Sequence, residues 1–540
     1  MSQRSKSFIQ GAFILGSAAL ISKLLGAIYR IPYQNITGDI GLYVYNQVYP
    51  LYTILLFLST SGFPKAISKM IAEKTVLGDE EGAFRIFRIA STVLFMTGFF
   101  FFFILYVGAP YLAKWSGDEN LTLPFRSISY ALLIVPFLAS IRGFFQGNQN
   151  MLPTAISQIA EQMVRVLTIL ILSYWFIAHG YSAYYAGAGA VFGAFTGALA
   201  SAAVLFTYLY RFRRQKGNPP ARLIMRKKEP AFQVMKEIMK YSIPISLASL
   251  LVPLLQLVDS FTVKNLLDLR GFPELTSMNL KGVYDRGMPL VQFAAFLAAP
   301  LTIALLPAIS EAAAKGRRRQ IARQTDLALR VTLLFSLPAS IGLMVIAEPV
   351  NIFIYMDNKG SDALAILAFT TLFSTLNMTT AGILQGIGLM MLPARNLFVG
   401  IVVKLFLNLT LIPLWDIRGA AFSTVIAYGI ATFLNLRQIL KFTDFRPNYK
   451  LYITRPLLSV LMMALSAWTA GVLSGRILLL FHLPERLYNG GIVLFSILSA
   501  LFVYSYMLLK IGAIRANELE MVPKLNRFVP LFKKWNLFRE

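Results

Sequence analysis

The chain has 540 residues, 56% of them hydrophobic and only 14% charged, with a net charge of +26. A soluble domain carries about 25% charged residues, so this chain cannot clothe a water-facing surface, and a soluble enzyme or nucleic-acid-binding domain is excluded. It has no cysteine, which removes thiol chemistry, disulfides and cysteine metal sites.

Apolar runs of membrane-spanning length recur from end to end. They cover about 8–32, 41–63, 89–112, 122–146, 154–178, 184–210, 241–263, 285–309, 328–349, 361–383, 394–414, 418–437, 453–475 and 488–510. The expected fold is therefore an all-α polytopic membrane protein with about fourteen transmembrane helices. The first run is too long for a signal-peptide core and no small-residue cleavage site follows it, so it is read as a mature helix.

Lys and Arg concentrate in alternate loops, densest over 211–240 with ten basic and two acidic residues. Loops such as "QNITGDI" and "SGDENLT" on the other side are short or balanced. By the positive-inside rule the even-numbered loops and both termini are cytoplasmic. His179 and His482 are far apart and adjoin outer loops, so no histidine metal site is expected. The tail "NRFVPLFKKWNLFRE" suits a segment lying on the inner leaflet.

Two halves echo each other. "GFFQGNQNMLP" from Gly143 matches "GILQGIGLMMLP" from Gly382, and "FPKAISK" from Phe63 matches "LPAISEA" from Leu306. The expected organisation is an N-terminal six-helix lobe (1–210), a basic cytoplasmic linker (211–240), a C-terminal six-helix lobe (241–450), two extra helices (451–511) and an interfacial tail (512–540). Six is even, so the lobes are parallel repeats, an arrangement in which transporters bind substrate between lobes.

Charges inside a bilayer are costly and each needs a reason. Lys23 and Arg30 share a face of the first run. Glu161 and Arg165 are spaced i,i+4 and are read as a local structural pair. Asp259 lies in the seventh run, Asp285 and Arg286 open the eighth, and Lys404 lies in the eleventh with Asn408 one turn on. Arg165 and Lys404 each follow the glycine of their G-x-x-Q-G motif by 18 positions. Lys23, Arg30, Arg165, Arg286 and Lys404 are thus candidates to line one basic cavity for an anionic ligand such as pyrophosphate. Lys23, deep and without a local partner, is the first choice. No Walker loop or nucleophile elbow is present, which argues for a carrier without covalent chemistry, cofactor or metal.

The stretches "ISKLLGAIYRIPY" from Ile21, "GFPKAISKMIAEK" from Gly62, "IPISLASLLVPLLQLVDSFTV" from Ile243 and "YDRGMPLVQFAAFLAAPLTIALLPAISEA" from Tyr284 resemble the multidrug/oligosaccharidyl-lipid/polysaccharide exporter superfamily. The resemblance is to its branch of lipid II flippases and stage V sporulation protein B-like polysaccharide transporters. It implies cavity cations in the first helix, matched by Ser22-Lys23 and Gly26 with Arg30 one residue late, and an essential arginine in a D-R pair, matched by Asp285-Arg286. It implies a lipid-tail groove along 453–475 and 488–510. A cavity arginine expected in the second helix is missing, and Asn46, Gln47 and tyrosines stand there instead. Asp259, Asn408 and Thr424 resemble a sodium-ligand set of some members. Lys404 sits where a polar ligand belongs, so its ammonium is expected to replace sodium.

The function these features imply is translocation of an undecaprenyl-pyrophosphate-linked cell-wall precursor or polysaccharide unit across a bacterial cytoplasmic membrane by alternating access. A multidrug/cation antiporter and a non-transporting scaffold for wall synthesis are the alternatives. Expected partners are the lipid-linked anionic glycan, membrane lipids and wall-synthesis enzymes, with no nucleic acid, and the chain is expected to be a monomer.

Overall fold

The computed structural model describes residues 14–18, 20–22, 24–26, 28–216, 230–296 and 308–513. Lys23, the linker stretch 217–229, residues 297–307 of the eighth run and the tail from 514 lie outside the described residues.

The described chain is helical: α1 (Arg30–Thr60), α2 (Phe63–Val76), α3 (Glu80–Trp115), a 3-10 turn, α4 (Thr122–Ser129), α5 (Ala131–Gly147), α6 (Leu152–Ala178), α7 (Ala183–Lys216), α8 (Ala231–Ser249), α9 (Leu251–Leu269), α10 (Glu274–Phe296), α11 (Arg318–Val345), α12 (Ala347–Tyr355), α13 (Ser361–Gly386), α14 (Met391–Phe442), α15 (Arg455–Leu479) and α16 (Glu485–Lys510). Among the described residues ten helices are long and apolar enough to cross a bilayer, or eleven with the α8–α9 pair, bent by 53°, taken as one span. Fourteen crossings are not established by that count.

The difference has physical causes. The stretches Ile14–Val76 and Met391–Phe442, each counted once, have 63 and 52 residues, whereas one crossing needs about 20. Each is broken inside. Gly38 breaks the first with φ 70° and ψ −173°, a conformation glycine reaches without steric cost. Trp415 and Asp416 break the second two residues after Pro413, and Asp416 has φ 52°. Each long stretch therefore takes in two of the apolar runs. The eighth run extends into residues outside the description.

Sequence also sets the close helix contacts. Gly193 and Gly197 lie one turn apart on α7, and a Cβ there would stand 2.9 Å from the Arg165 carbonyl oxygen and 2.6 Å from that of Glu161. Small residues at this spacing let membrane helices approach backbone to backbone, where dispersion replaces the missing hydrophobic drive. The hydroxyls of Thr168 and Thr196 meet across the same contact at 2.7 Å. Helix α3 is capped at its start by Asp79, whose Oδ1 accepts from the Gly82 N–H at 2.8 Å, and it carries Glu80 and Glu81 in its first turn and Lys114 in its last. Acids at the start and a base at the end both match the helix dipole.

The chain divides into two compact units, 1–285 and 286–540, with the boundary inside α10. In the first unit Gly147 packs on Ile71 and the Ser68 carbonyl; in the second Gly386 packs on Ile309 and Ser310. The repeated G-x-x-Q-G and A-I-S motifs thus meet one another in each unit.

Within the first unit, odd and even loops segregate to opposite ends. At one end Lys264 donates to the Gly117 carbonyl, Asn265 Nδ2 to the Trp115 carbonyl at 3.0 Å, and the Tyr184 hydroxyl to Asp118 at 2.8 Å. At the other, the Gly62 N–H donates to Ser246 at 3.3 Å and the Lys69 ammonium sits 4.0 Å from the centre of the Tyr241 ring.

Candidate substrate site

The first unit holds a tyrosine ladder built by α1. Residues spaced by three and four fall on one helix face, and Tyr45, Tyr49 and Tyr52 follow that spacing. Tyr45 stacks on Tyr49 with ring centres 5.2 Å apart, Tyr49 leans on Tyr52 at 5.8 Å, and Tyr33 leans on Tyr45 at 5.7 Å. The Tyr29 and Tyr45 hydroxyls meet at 2.6 Å.

Two arginines lie against this ladder. Arg165, on α6 and 9% exposed, donates from Nη2 to the Tyr49 hydroxyl at 2.9 Å and the Tyr45 hydroxyl at 3.5 Å. Its guanidinium also lies over the Tyr49 ring, 5.3 Å from the centre. Arg30 stands beside Tyr29, Tyr45 and Tyr49. The Nε atoms of both arginines are buried with no hydrogen-bond partner among the described residues. Their neighbours are neutral hydroxyls and ring faces. A phenol polarises toward a cation but does not neutralise it, so among the described residues neither arginine has a bonded carboxylate, and the acid whose field reaches Arg30 is Asp285. Arg165, from α6, thus lies against the tyrosines of the second apolar run, which carries no arginine of its own.

Glu161 takes its partner from another helix, which corrects the expected Glu161–Arg165 pair. Arg142 of α5 donates from Nη2 to Glu161 Oε2 at 2.7 Å and to Ser201 Oγ at 2.8 Å, and from Nε to Ser157 Oγ at 3.2 Å. One guanidinium fork thus ties α5 to both α6 and α7, with a charge-assisted bond to the acid. Arg165 is thereby left to the tyrosines. Arg142, four residues inside the end of the 122–146 run, was not singled out in the sequence.

Asp285 and Arg286 do not open a helix. They lie in the middle of α10, which starts at Glu274. Its first turns carry Ser277, Asn279 and Lys281, so hydropathy hides them. Helical spacing sets Lys281 four residues before Asp285, and their side chains, 2% and 8% exposed, meet at 2.5 Å. Asp285 Oδ2 is buried without a described partner, and Asp285 lies within the field of Arg30 and Asp259. The Tyr284 hydroxyl donates to Asp259 Oδ2 at 3.0 Å.

In the second unit Arg286 is 1% exposed and binds Asp357 Oδ1 at 2.5 Å and the Lys359 carbonyl. Lys404, Asn408 and Thr424 are all buried on α14, and Ser423 donates to Asn408 Oδ1. Among the described residues no group of three or more His, Asp or Glu side chains is placed to hold a metal ion. Lys264, buried against Asp268 at 2.8 Å and Glu274 at 3.4 Å, and the Asp118–Tyr43–Tyr184 cluster were also missed by sequence reasoning. The i,i+4 spacing of Lys264 and Asp268 was the available signal.

Comparison with known proteins places this architecture. A family model described as polysaccharide biosynthesis protein matches residues 8–313, and the MatE model matches 244–410. The chain is 35% identical over 529 residues to the uncharacterized membrane protein YabM of Bacillus subtilis, covering 96% of each. It is 30% identical over 495 residues to the lipid II flippase MurJ of the same organism, covering 86% of this chain and 87% of that one. With the stage V sporulation protein B of Bacillus subtilis it shares 25% identity, over 97% of this chain and 99% of the relative. Among solved structures, lipid II flippase MurJ in an inward closed conformation matches with a TM-score of 0.64 at 14% identity, over 92% of this chain and 99% of that one. An inward-facing multidrug resistance MATE family transporter matches with a TM-score of 0.63 at 14% identity, over 77% and 93%. On this ground the chain belongs to the polysaccharide biosynthesis protein family of the multidrug/oligosaccharidyl-lipid/polysaccharide superfamily.

Proposed function

We propose that this protein is a flippase that carries an undecaprenyl-pyrophosphate-linked cell-wall precursor or polysaccharide unit across the bacterial cytoplasmic membrane by alternating access. The observation that carries the reading is the pair of buried arginines, Arg30 and Arg165, held on tyrosines rather than on carboxylates. A membrane protein keeps buried cations without a bonded carboxylate only at a cost, and an anionic head group lowers that cost when it binds. Pyrophosphate offers charged oxygens to the forks that now meet phenol hydroxyls, and charge-assisted bonds are roughly twice as strong as neutral ones. Lys23, Arg286 and Lys404 are the further cations assigned to the head group. The apolar α15–α16 pair is assigned to the polyprenyl tail, and both termini to the cytoplasm.

The identities to MurJ and to stage V sporulation protein B support the substrate class. A cation-drug antiporter needs a carboxylate-rich cavity, and the two arginines argue against one. The test is complementation in cells depleted of their lipid II flippase, with charge reversal at Lys23 and Arg286. A flippase loses function in these variants. A scaffold keeps it, and that outcome refutes the proposal.

A further inference from the structure

Arg286 already has an anion. Its Nη2 holds Asp357 Oδ1 at 2.5 Å and the Lys359 carbonyl, and its guanidinium lies 5.1 Å from the centre of the Tyr355 ring. The Tyr355 hydroxyl donates to the Arg286 carbonyl at 2.8 Å, which fixes the backbone beneath the charge. The arginine is 1% exposed, whereas the Asp357 side chain is 31% exposed. One partner is therefore fixed in the protein and the other stands at its edge, on the five-residue turn between α12 and α13.

That turn is built to present the carboxylate. Met356 and Gly360 flank it in the left-handed region, with φ 65° and 68°. Asp357 Oδ1 also accepts the Lys359 N–H at 3.0 Å, and Asn351 Nδ2 donates to the Lys359 carbonyl at 3.0 Å and to Ser361 Oγ at 3.0 Å. A bond from the turn's own backbone aims the carboxylate at the guanidinium. Left-handed backbone at Met356 is uncommon for a side-chain-bearing residue, and the surrounding bonds hold it there.

We propose that Asp357 is a positioning residue that competes with the substrate's pyrophosphate for Arg286 and drives its release. This rests on the assignment of Arg286 to the head group. A carboxylate and a phosphate want the same planar fork, so both cannot hold it in full. When the head group arrives, Arg286 exchanges Asp357 for phosphate. When Asp357 returns, the phosphate loses its cation and the lipid leaves. The arginine is neutralised at every stage, which avoids leaving a buried charge unpaired. A carrier needs such an exchange, because binding that is too tight in the releasing state halts turnover.

The experiment uses the purified full chain in nanodiscs, with undecaprenyl pyrophosphate as the binding probe and proteoliposomes for turnover. Asp357→Asn keeps the shape and the bond to the Lys359 N–H while removing the charge. It is expected to bind the probe about tenfold tighter, the equivalent of about 1.4 kcal/mol, and to turn over more slowly at saturation. Asp357→Glu restores both values toward those of the native chain. In an Arg286→Gln background, which itself binds weakly, Asp357→Asn is expected to change nothing further. Unchanged or weaker binding in Asp357→Asn, with Arg286→Gln impaired, overturns the proposal alone. Undiminished binding in Arg286→Gln overturns the assignment of Arg286 and the proposal with it.

Discussion

Replacing Arg165 with glutamine separates binding from folding. In the resting protein Arg165 makes two bonds to phenol hydroxyls at 2.9 and 3.5 Å and lies over a ring. Glutamine keeps one donor for Tyr49, so the fold loses about 1 kcal/mol, the ordinary net worth of a neutral hydrogen bond. Binding loses more, because a hydrogen bond to a charged group contributes about 1.5–3 kcal/mol. That is roughly a ten- to 150-fold weaker Kd for a pyrophosphate-bearing lipid. Arg142 is the control. Arg142→Gln leaves Glu161 with its side chain only 17% exposed and without its cation. Breaking a buried pair costs about 3–5 kcal/mol, and some remaining exposure puts this one near the lower end. Thermal unfolding and titration with undecaprenyl pyrophosphate in nanodiscs read the two effects. Arg165→Gln is expected to weaken binding with little loss of Tm, and Arg142→Gln to lower Tm with affinity unchanged in the folded fraction. Unchanged affinity in Arg165→Gln, or equal loss of Tm in both variants, refutes the reasoning.

Three further outcomes follow from the packing and the buried charges. Gly197→Val drives a side chain against the Glu161 carbonyl, where even a Cβ stands 2.6 Å away; it is expected to part α6 from α7 and cost several kcal/mol, read as loss of monodisperse protein in detergent. Lys281→Met strands Asp285, which is buried beside it, and is expected to lower stability by about 3 kcal/mol, with Lys281→Met/Asp285→Asn recovering part of it in the same unfolding assay. Transport is expected to be indifferent to sodium, the ammonium of Lys404, buried on α14, being assigned to the cation's place; sodium-dependent transport abolished by Asp259→Asn sinks that idea.

Hydropathy made the helical class legible because the bilayer demands long apolar runs, and runs are what a sequence displays. It was blind where a helix begins in polar residues. Glu274 to Asp285 reads as a loop and is helix α10. The same blindness hid Lys281 and moved Arg286 from a helix start to a helix middle. Breaks were half legible: Gly38 and Pro413 are visible as residues, but whether a helix bends or stops there depends on what packs beside it. Candidate cations were found because charge in an apolar run is conspicuous. Their partners were not, since Asp357 and the tyrosines reach the arginines, and Arg142 reaches Glu161, from other elements, and spacing along one helix reports only neighbours on that helix. The Glu161–Arg165 reading failed for this reason. The tyrosines of α1 were seen as substitutes for a missing arginine, but their use as a rest for Arg165 needed coordinates.

The most direct measurement of the central claim is translocation in proteoliposomes holding only this protein and an undecaprenyl-pyrophosphate-linked glycan, scored by a membrane-impermeant reagent that modifies the glycan on one leaflet. The account predicts that the native chain exposes lipid from the far leaflet and that the Arg30→Gln/Arg165→Gln pair falls to the rate of protein-free vesicles. No translocation by the native chain, or an undiminished rate in the paired variant, contradicts it.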